Sequence, residues 1–371
     1  MILSIKKNTI ANIFWAVALI SFCFQCYFPS LSKFIVPSLG IFFMLEIPSI
    51  NFGKVNGWKE LYGIYCAYLL FSIINGAFHS CINSSSFRFL IILLIIPLAQ
   101  LIEEPDFKLE WNTFQCISAA RVIPVLFVWI QLLFTQNYSS YRAWAQQTGA
   151  GDIYILNGIP RVQLKGSSLF VLTFLVDLYK NKKLTPFGVL MIIGALVSGN
   201  SAYILGIAVG LVFFFLPMLK KRYVDEKWKN FVLIPFIIVG FVLFVGYADR
   251  SMTQKSGSSN LVRDEQAEVL LDTNPAIGFG LGHPIIANTS TRNYNGNTYF
   301  ELQTLYILNQ IGMIGLLFFY TLTISPYLDR KYMLFAYLSY LIYSFWNPYC
   351  FDSTHIITMI LISNILKCDD E

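Results

Sequence analysis

Charge is what this sequence has least of. Asp, Glu, Lys and Arg make up 13% of its 371 residues and hydrophobic residues 56%, whereas soluble domains carry about 25% charged residues. That balance excludes an ordinary soluble domain. Histidine is nearly absent too: His79, His283 and His355 are the only three and stand far apart in sequence, and no metal-ligand spacing appears. No Gly-x-Ser-x-Gly and no P-loop occurs, so neither a serine-hydrolase elbow nor a nucleotide cradle is encoded. The seven cysteines lie mostly in or beside apolar runs. Cys23 and Cys26 form a CxxC, but inside a membrane helix they read as small apolar filler.

What is present is hydrophobic run after hydrophobic run. Backbone groups cannot stay unpaired in lipid, so spanning segments are helices or strands of a closed barrel. Barrel strands alternate in polarity over about 10 residues, whereas Ile10–Tyr27 and Phe231–Tyr247 are apolar on all sides. The fold expected is an all-α, polytopic membrane bundle of about twelve helices, forming one integral membrane domain over 1–371. The apolar segments are 9–28, 31–49, 60–78, 87–103, 112–134, 167–179, 184–199, 201–219, 230–247, 301–322, 332–347 and 353–366. The sixth, seventh and twelfth are short for a span, so tilting or re-entrance is expected there. The first carries no small-residue cleavage site and reads as a retained span.

Lys and Arg concentrate in alternate connections, notably Lys180, Lys182 and Lys183, then Lys220, Lys221 and Arg222, then Arg330 and Lys331. The positive-inside rule makes those cytoplasmic and puts both termini inside. The net charge of +5 is thus a topology effect, and no nucleic-acid partner is implied. Two long connections, about 135–166 and 248–300, fall outside, and long loops in compact proteins usually carry function. They keep Arg142, Arg161, Lys165, Arg250, Lys255, Arg263 and Arg292, cations that topology alone disfavours on that face.

Within the first loop, Gly158-Ile-Pro-Arg161-Val-Gln-Leu-Lys165-Gly166 precedes the sixth span. Arg161 offers a planar fork suited to phosphate oxygens and Lys165 a point charge, or the pair anchors lipid head groups. The second loop contains Asn260-Leu-Val-Arg263-Asp264-Glu265-Gln266-Ala-Glu268, a short helix with acids in its early turns. Arg263 can pair with Asp264 or Glu268, or face a site. The helix stops at Asn274-Pro275, and Gly278-Phe-Gly280-Leu-Gly282 follows; with no βαβ unit around it, this is a tight turn packing the loop back on the bundle, not a dinucleotide site. Glu301 stands where the chain re-enters the membrane. A carboxylate there is costly and suits a general base, or else it sits favourably on a helix dipole. Arg121 lies mid-span and must face the interior. Asp177 is a weaker candidate. No Asp-x-Asp or Glu-x-Asp stands in an outer loop, so no metal or other cofactor is expected. Outer cations plus a membrane-level carboxylate fit a reaction on a lipid diphosphate.

The ordered set Arg161…Gly166, Arg263, Asn274-Pro275, Gly278-x-Gly280-x-Gly282, Glu301 and Gly312-x-x-Gly315 resembles the O-antigen polymerases (Wzy) of Gram-negative bacteria. That family lies within a polymerase and ligase superfamily of glycosyltransferase-C-like folds. The likeness covers roughly 155–320. The ligases place a proposed catalytic His where this chain has Glu301, with the same spacing to the Gly-x-x-Gly. The family's Ser-Arg pair is missing at Ser198-Gly-Asn200-Ser201; Arg121 is a possible substitute.

The resemblance implies transfer of a growing glycan from undecaprenyl diphosphate to the non-reducing end of a lipid-linked repeat unit, at the periplasmic face of the bacterial inner membrane. Glu301 would be the base, Arg161, Arg263, Lys165, Arg292 and Arg121 the diphosphate ligands, and Tyr299, Gln303 and His283 substrate contacts. Expected partners are the lipid-linked oligosaccharide, membrane lipids, and a chain-length regulator and flippase of the same pathway. The alternatives are an O-antigen ligase, or a flippase that moves lipid-linked oligosaccharide without chemistry.

Overall fold

The structure, a computed structural model, describes residues 2–50, 52, 55–79, 84–102, 111–135, 137–156, 158–225, 259–271, 276–290, 294, 300–345 and 347–366. The apolar segment 230–247, the Asn274-Pro275 stop, Arg250, Lys255, Arg292 and Tyr299 lie outside the described residues.

Helix dominates, as the apolar runs require. In chain order the α-helices are α1 (Ile2–Phe24), α2 (Ser32–Glu46), α3 (Trp58–His79), α4 (Ser84–Ala99), α5 (Trp111–Thr135), α6 (Tyr138–Gln147) and α7 (Ser168–Asn181). They continue with α8 (Pro186–Ser198), α9 (Ser201–Asp225), α10 (Ser259–Leu271), α11 (Gln303–Ile324), α12 (Lys331–Phe345) and α13 (Ser353–Ile365). Every apolar segment read from the sequence has a helix except 230–247, which is not described. Three stretches, Trp58–Phe78, Phe114–Thr135 and Gln303–Tyr327, are long and apolar enough to cross a membrane. Their outward faces are apolar: Ile64 and Leu70 on α3 and Ile123 and Phe127 on α5 are exposed, as lipid contact demands and water would penalise.

Two of the three short segments, α7 and α13, lie deepest. α7 has 14 residues and α8 and α13 have 13 each, about 20 Å of helix against about 30 Å of hydrocarbon. From Ser168 to Tyr179 every residue of α7 is buried, because α5, α8, α9, α12 and α13 pack around it. α13 is nearly as enclosed. α7 and α13 meet protein instead of lipid, so bilayer thickness does not set their length, whereas α8 exposes Val189, Ile193 and Leu196 along one face. Local signals end them: Thr185 caps α8 by accepting from Gly188 N at 2.9 Å, Pro186 opens it, and Gly199 in the left-handed region closes it.

The long connection before α7 is an ordered cap. It holds α6 and an antiparallel hairpin, β1 (Gly151–Leu156) with β2 (Ile159–Leu164). The hairpin lies on α5 and α8, with Trp129 Nε1 donating to Pro160 O at 2.9 Å. An isolated hairpin is marginal in water, and packing on helices stabilises it.

α11 is a broken helix. Gly312 adopts φ 67, ψ −179 within it, a conformation essentially restricted to glycine. The freed carbonyls are taken by residues brought in from elsewhere. Phe279 N donates to Asn309 O at 2.9 Å, Gly280 N to Gln310 O at 2.8 Å, and Tyr68 Oη to Ile311 O at 2.6 Å. In return Ile314 N donates to Ala276 O at 3.1 Å. The glycine turn expected to fold back on the bundle does so here, wedged between α3 and the break in α11. Irregular backbone survives at this depth because it is enclosed by protein and the carbonyls of Asn309, Gln310 and Ile311 and the amide of Ile314 find partners.

Lys182 lies with its Nζ 3.4 Å from the centre of the Tyr332 ring, so the basic α7–α8 and α11–α12 connections share one end of the bundle. At the opposite end Asn200 donates to Asn347 Oδ1 at 3.0 Å, Tyr203 Oη to Tyr349 Oη at 3.0 Å, and Phe351 N to Gln303 Oε1 at 3.1 Å. These bonds gather the ends of α8, α11, α12 and α13.

Candidate functional site

The segment that enters α11 is held by α10. Arg263 Nε lies 3.3 Å from Glu301 Oε2, and both side chains are about a quarter exposed, at 28% and 23%. Of the partners open to Arg263 in the sequence, the fold selects neither Asp264 nor Glu268 on its own helix but a carboxylate 38 positions further on. One turn along α10, the fully buried Gln266 accepts from Glu301 N at 3.0 Å and from Leu302 N at 3.3 Å, and donates to Tyr294 Oη at 2.8 Å. A stack backs the segment: Tyr294 on Phe300 at 4.8 Å, and Phe300 on Tyr306 at 5.1 Å. Acid and cation are thus poised on a rigid wall at the start of a membrane helix. They face the end of the bundle where neither of the lysine-rich connections lies.

Arg161 comes to that same end from β2. Its Nη1 donates to Leu196 O at 3.1 Å, capping the last turn of α8. Its aliphatic stem lies flat on Gly199, where an added Cβ would stand 2.2 Å from Arg161 Cδ. Tyr154, its cross-strand partner, donates to Gly199 O at 3.3 Å. The guanidinium over the Ser198-Gly199-Asn200 turn therefore belongs to Arg161, and Arg121 does not fill that gap.

Arg121 is fully buried and serves backbone carbonyls. Nη1 donates to Cys23 O at 2.8 Å and Nη2 to Lys165 O, while the guanidinium lies 5.4 Å from the Phe170 ring. It fastens α1, α5 and the β2–α7 turn together. Lys165 presents an exposed side chain above this junction. Cys23 and Cys26 are buried and free, matching the reading as filler.

Gln303 uses its Oε1 on Phe351 N, which ties the turn before α13 to the start of α11. His283 stacks on Phe279 at 4.6 Å in the glycine turn. Asp177, at the other end of α7, accepts from Gln115 at 3.2 Å, Asn181 at 2.9 Å and Thr185, a staple between helices.

Sequence reasoning did not single out Gln266, the Asn200–Asn347 pair or Asp352. The one available signal was that Gln266 lies three residues after Arg263, on the same helix face. Asp352 caps α13, accepting from Thr354 N at 2.7 Å. Burial pushes its carboxyl up to about 6 from 3.8, with the Arg88 charge pulling the other way. The folded chain therefore holds this proton more tightly than the unfolded chain, so its contribution to stability is greatest below about pH 4 and is lost by about pH 6. Asp352→Asn keeps the cap. The melting temperature of the parent relative to this variant should fall between pH 4 and pH 6 and level off above; a constant difference would show that Asp352 titrates normally.

Compared with known family models, curated proteins and solved structures, the chain finds no match.

Proposed function

We propose that this chain is an O-antigen polymerase, a metal-independent glycosyltransferase of the bacterial inner membrane with both termini in the cytoplasm. It moves the growing glycan from undecaprenyl diphosphate to the non-reducing end of a lipid-linked repeat unit on the periplasmic side. The observation that carries this reading is the Arg263–Glu301 pair at the mouth of α11, at the end away from the lysine-rich connections. An acceptor sugar hydroxyl attacks the anomeric carbon of the donor glycan. The bond from that carbon to the diphosphate oxygen breaks, the hydroxyl proton passes to Glu301, and the electron pair leaves with the diphosphate. Arg263 and Arg161 stabilise the departing charge, helped by Lys165 at the surface. Arg121, with both terminal nitrogens on carbonyls, holds the β2–α7 turn in place instead of touching phosphate.

Lipid analysis of cells lacking the protein tests the reading. Single repeat units on the lipid core are expected. Polymer stranded on its carrier would make the chain a ligase, and near absence of repeat units would make it a flippase.

A further inference from the structure

Glu301 and a substrate phosphate make competing demands on one guanidinium. If the Arg263 ion pair were all that held Glu301, any phosphate that captured Arg263 would also release the base. The structure separates the two tasks. Arg263 and Gln266 project from the same face of α10, and one contacts the Glu301 carboxylate while the other grips its backbone. α11 has no side-chain cap of its own at Leu302, and the Gln266 carbonyl takes the two amide hydrogens just ahead of the helix, those of Glu301 and Leu302. The amide can sit only one way round, because Oε1 must face two N–H groups and Nε2 then meets the Tyr294 hydroxyl. Tyr294 is itself fixed by its stack on Phe300, the residue before Glu301.

We infer that Gln266 is a positioning residue, which keeps Glu301 in register with the acceptor while Arg263 exchanges the Glu301 carboxylate for the substrate's phosphate. This rests on the proposed transferase reading. A base must be held to within about 0.5 Å to act efficiently, and two hydrogen bonds to consecutive amides supply that restraint without using the carboxylate.

The test combines a mutant cycle with hydrogen exchange on the full-length protein in detergent. The substrate is lipid-linked repeat unit extracted from cells lacking this protein. Gln266→Leu should lower kcat by about 10- to 100-fold with KM little changed. Gln266→Glu, which keeps the acceptor oxygen, should recover part of that loss. In a Glu301→Gln background, Gln266→Leu should cause no further loss, because a residue acting through Glu301 has nothing left to position. The Glu301 and Leu302 amides should exchange slowly in the parent and faster in Gln266→Leu. Equal losses in both backgrounds, or unprotected amides in the parent, would overturn the inference while leaving the transferase reading standing. Full activity in Glu301→Gln alone would overturn the inference and remove Glu301 from the chemistry, whereas no transfer by the parent would overturn the transferase reading itself.

Discussion

Glu301→Gln is expected to reduce glycan transfer by about 10²- to 10⁴-fold, the usual contribution of a positioned general base, and to leave cells with single repeat units where the parent builds long ladders. The substitution is nearly isosteric and keeps an acceptor oxygen beside Arg263, so folding should scarcely change. A partly exposed ion pair stabilises a protein by only about 0.2–1 kcal/mol, and Glu301 and Arg263 are about a quarter exposed. The two roles of Glu301 therefore separate cleanly. A base gives lost transfer at unchanged melting temperature and membrane yield. A mere partner for Arg263 gives unchanged ladders, and that outcome would remove Glu301 from the chemistry.

The second large effect is structural. Gly312→Ala should destabilise the protein by more than about 3 kcal/mol, since the backbone there is in a region essentially closed to side chains and the new Cβ would stand 2.3 Å from Ala276 O. That neighbour is main chain, held by Ile314 N, and cannot swing aside. The expected result is loss of the monodisperse protein peak in detergent or a melting temperature many degrees lower. Gly63→Ala is the internal control: nothing lies within 4 Å of its would-be Cβ, so replacing a helical glycine should be neutral or raise stability by about 0.5–1 kcal/mol. Similar behaviour of the two variants would mean that α11 does not break at Gly312. The break positions the proposed site as well, because it lets the glycine turn dock into α11 and so directs the chain between α10 and Glu301.

How much of this was legible in advance depended on the range of the interaction. Helix content and the place of nearly every apolar segment follow from local composition, because a backbone in lipid must satisfy its own hydrogen bonds. The segments flagged as short are short in the structure; for α7 and α13 the reason, enclosure by other helices, is not local and could not be read. Arg263 shows the same limit. From the sequence its partners were the acids on its own helix; the fold gives it Glu301, and gives Gln266 the two amides beside that acid.

The sequence by itself determined a helical chain suited to a membrane, with cations left on the loops opposite the lysine-rich ones and a carboxylate at the mouth of a span. Only the tertiary structure decided what each cation does. Arg121 in a span and Arg161 in a loop were both candidate diphosphate ligands, yet one is sealed on backbone carbonyls and the other caps a helix at the same end as Glu301. Only tertiary structure also turned Gly312-x-x-Gly315 from a spacing into a broken helix. The physical reason is common to all three: the groups involved are satisfied by partners tens to hundreds of residues away, which no local pattern encodes.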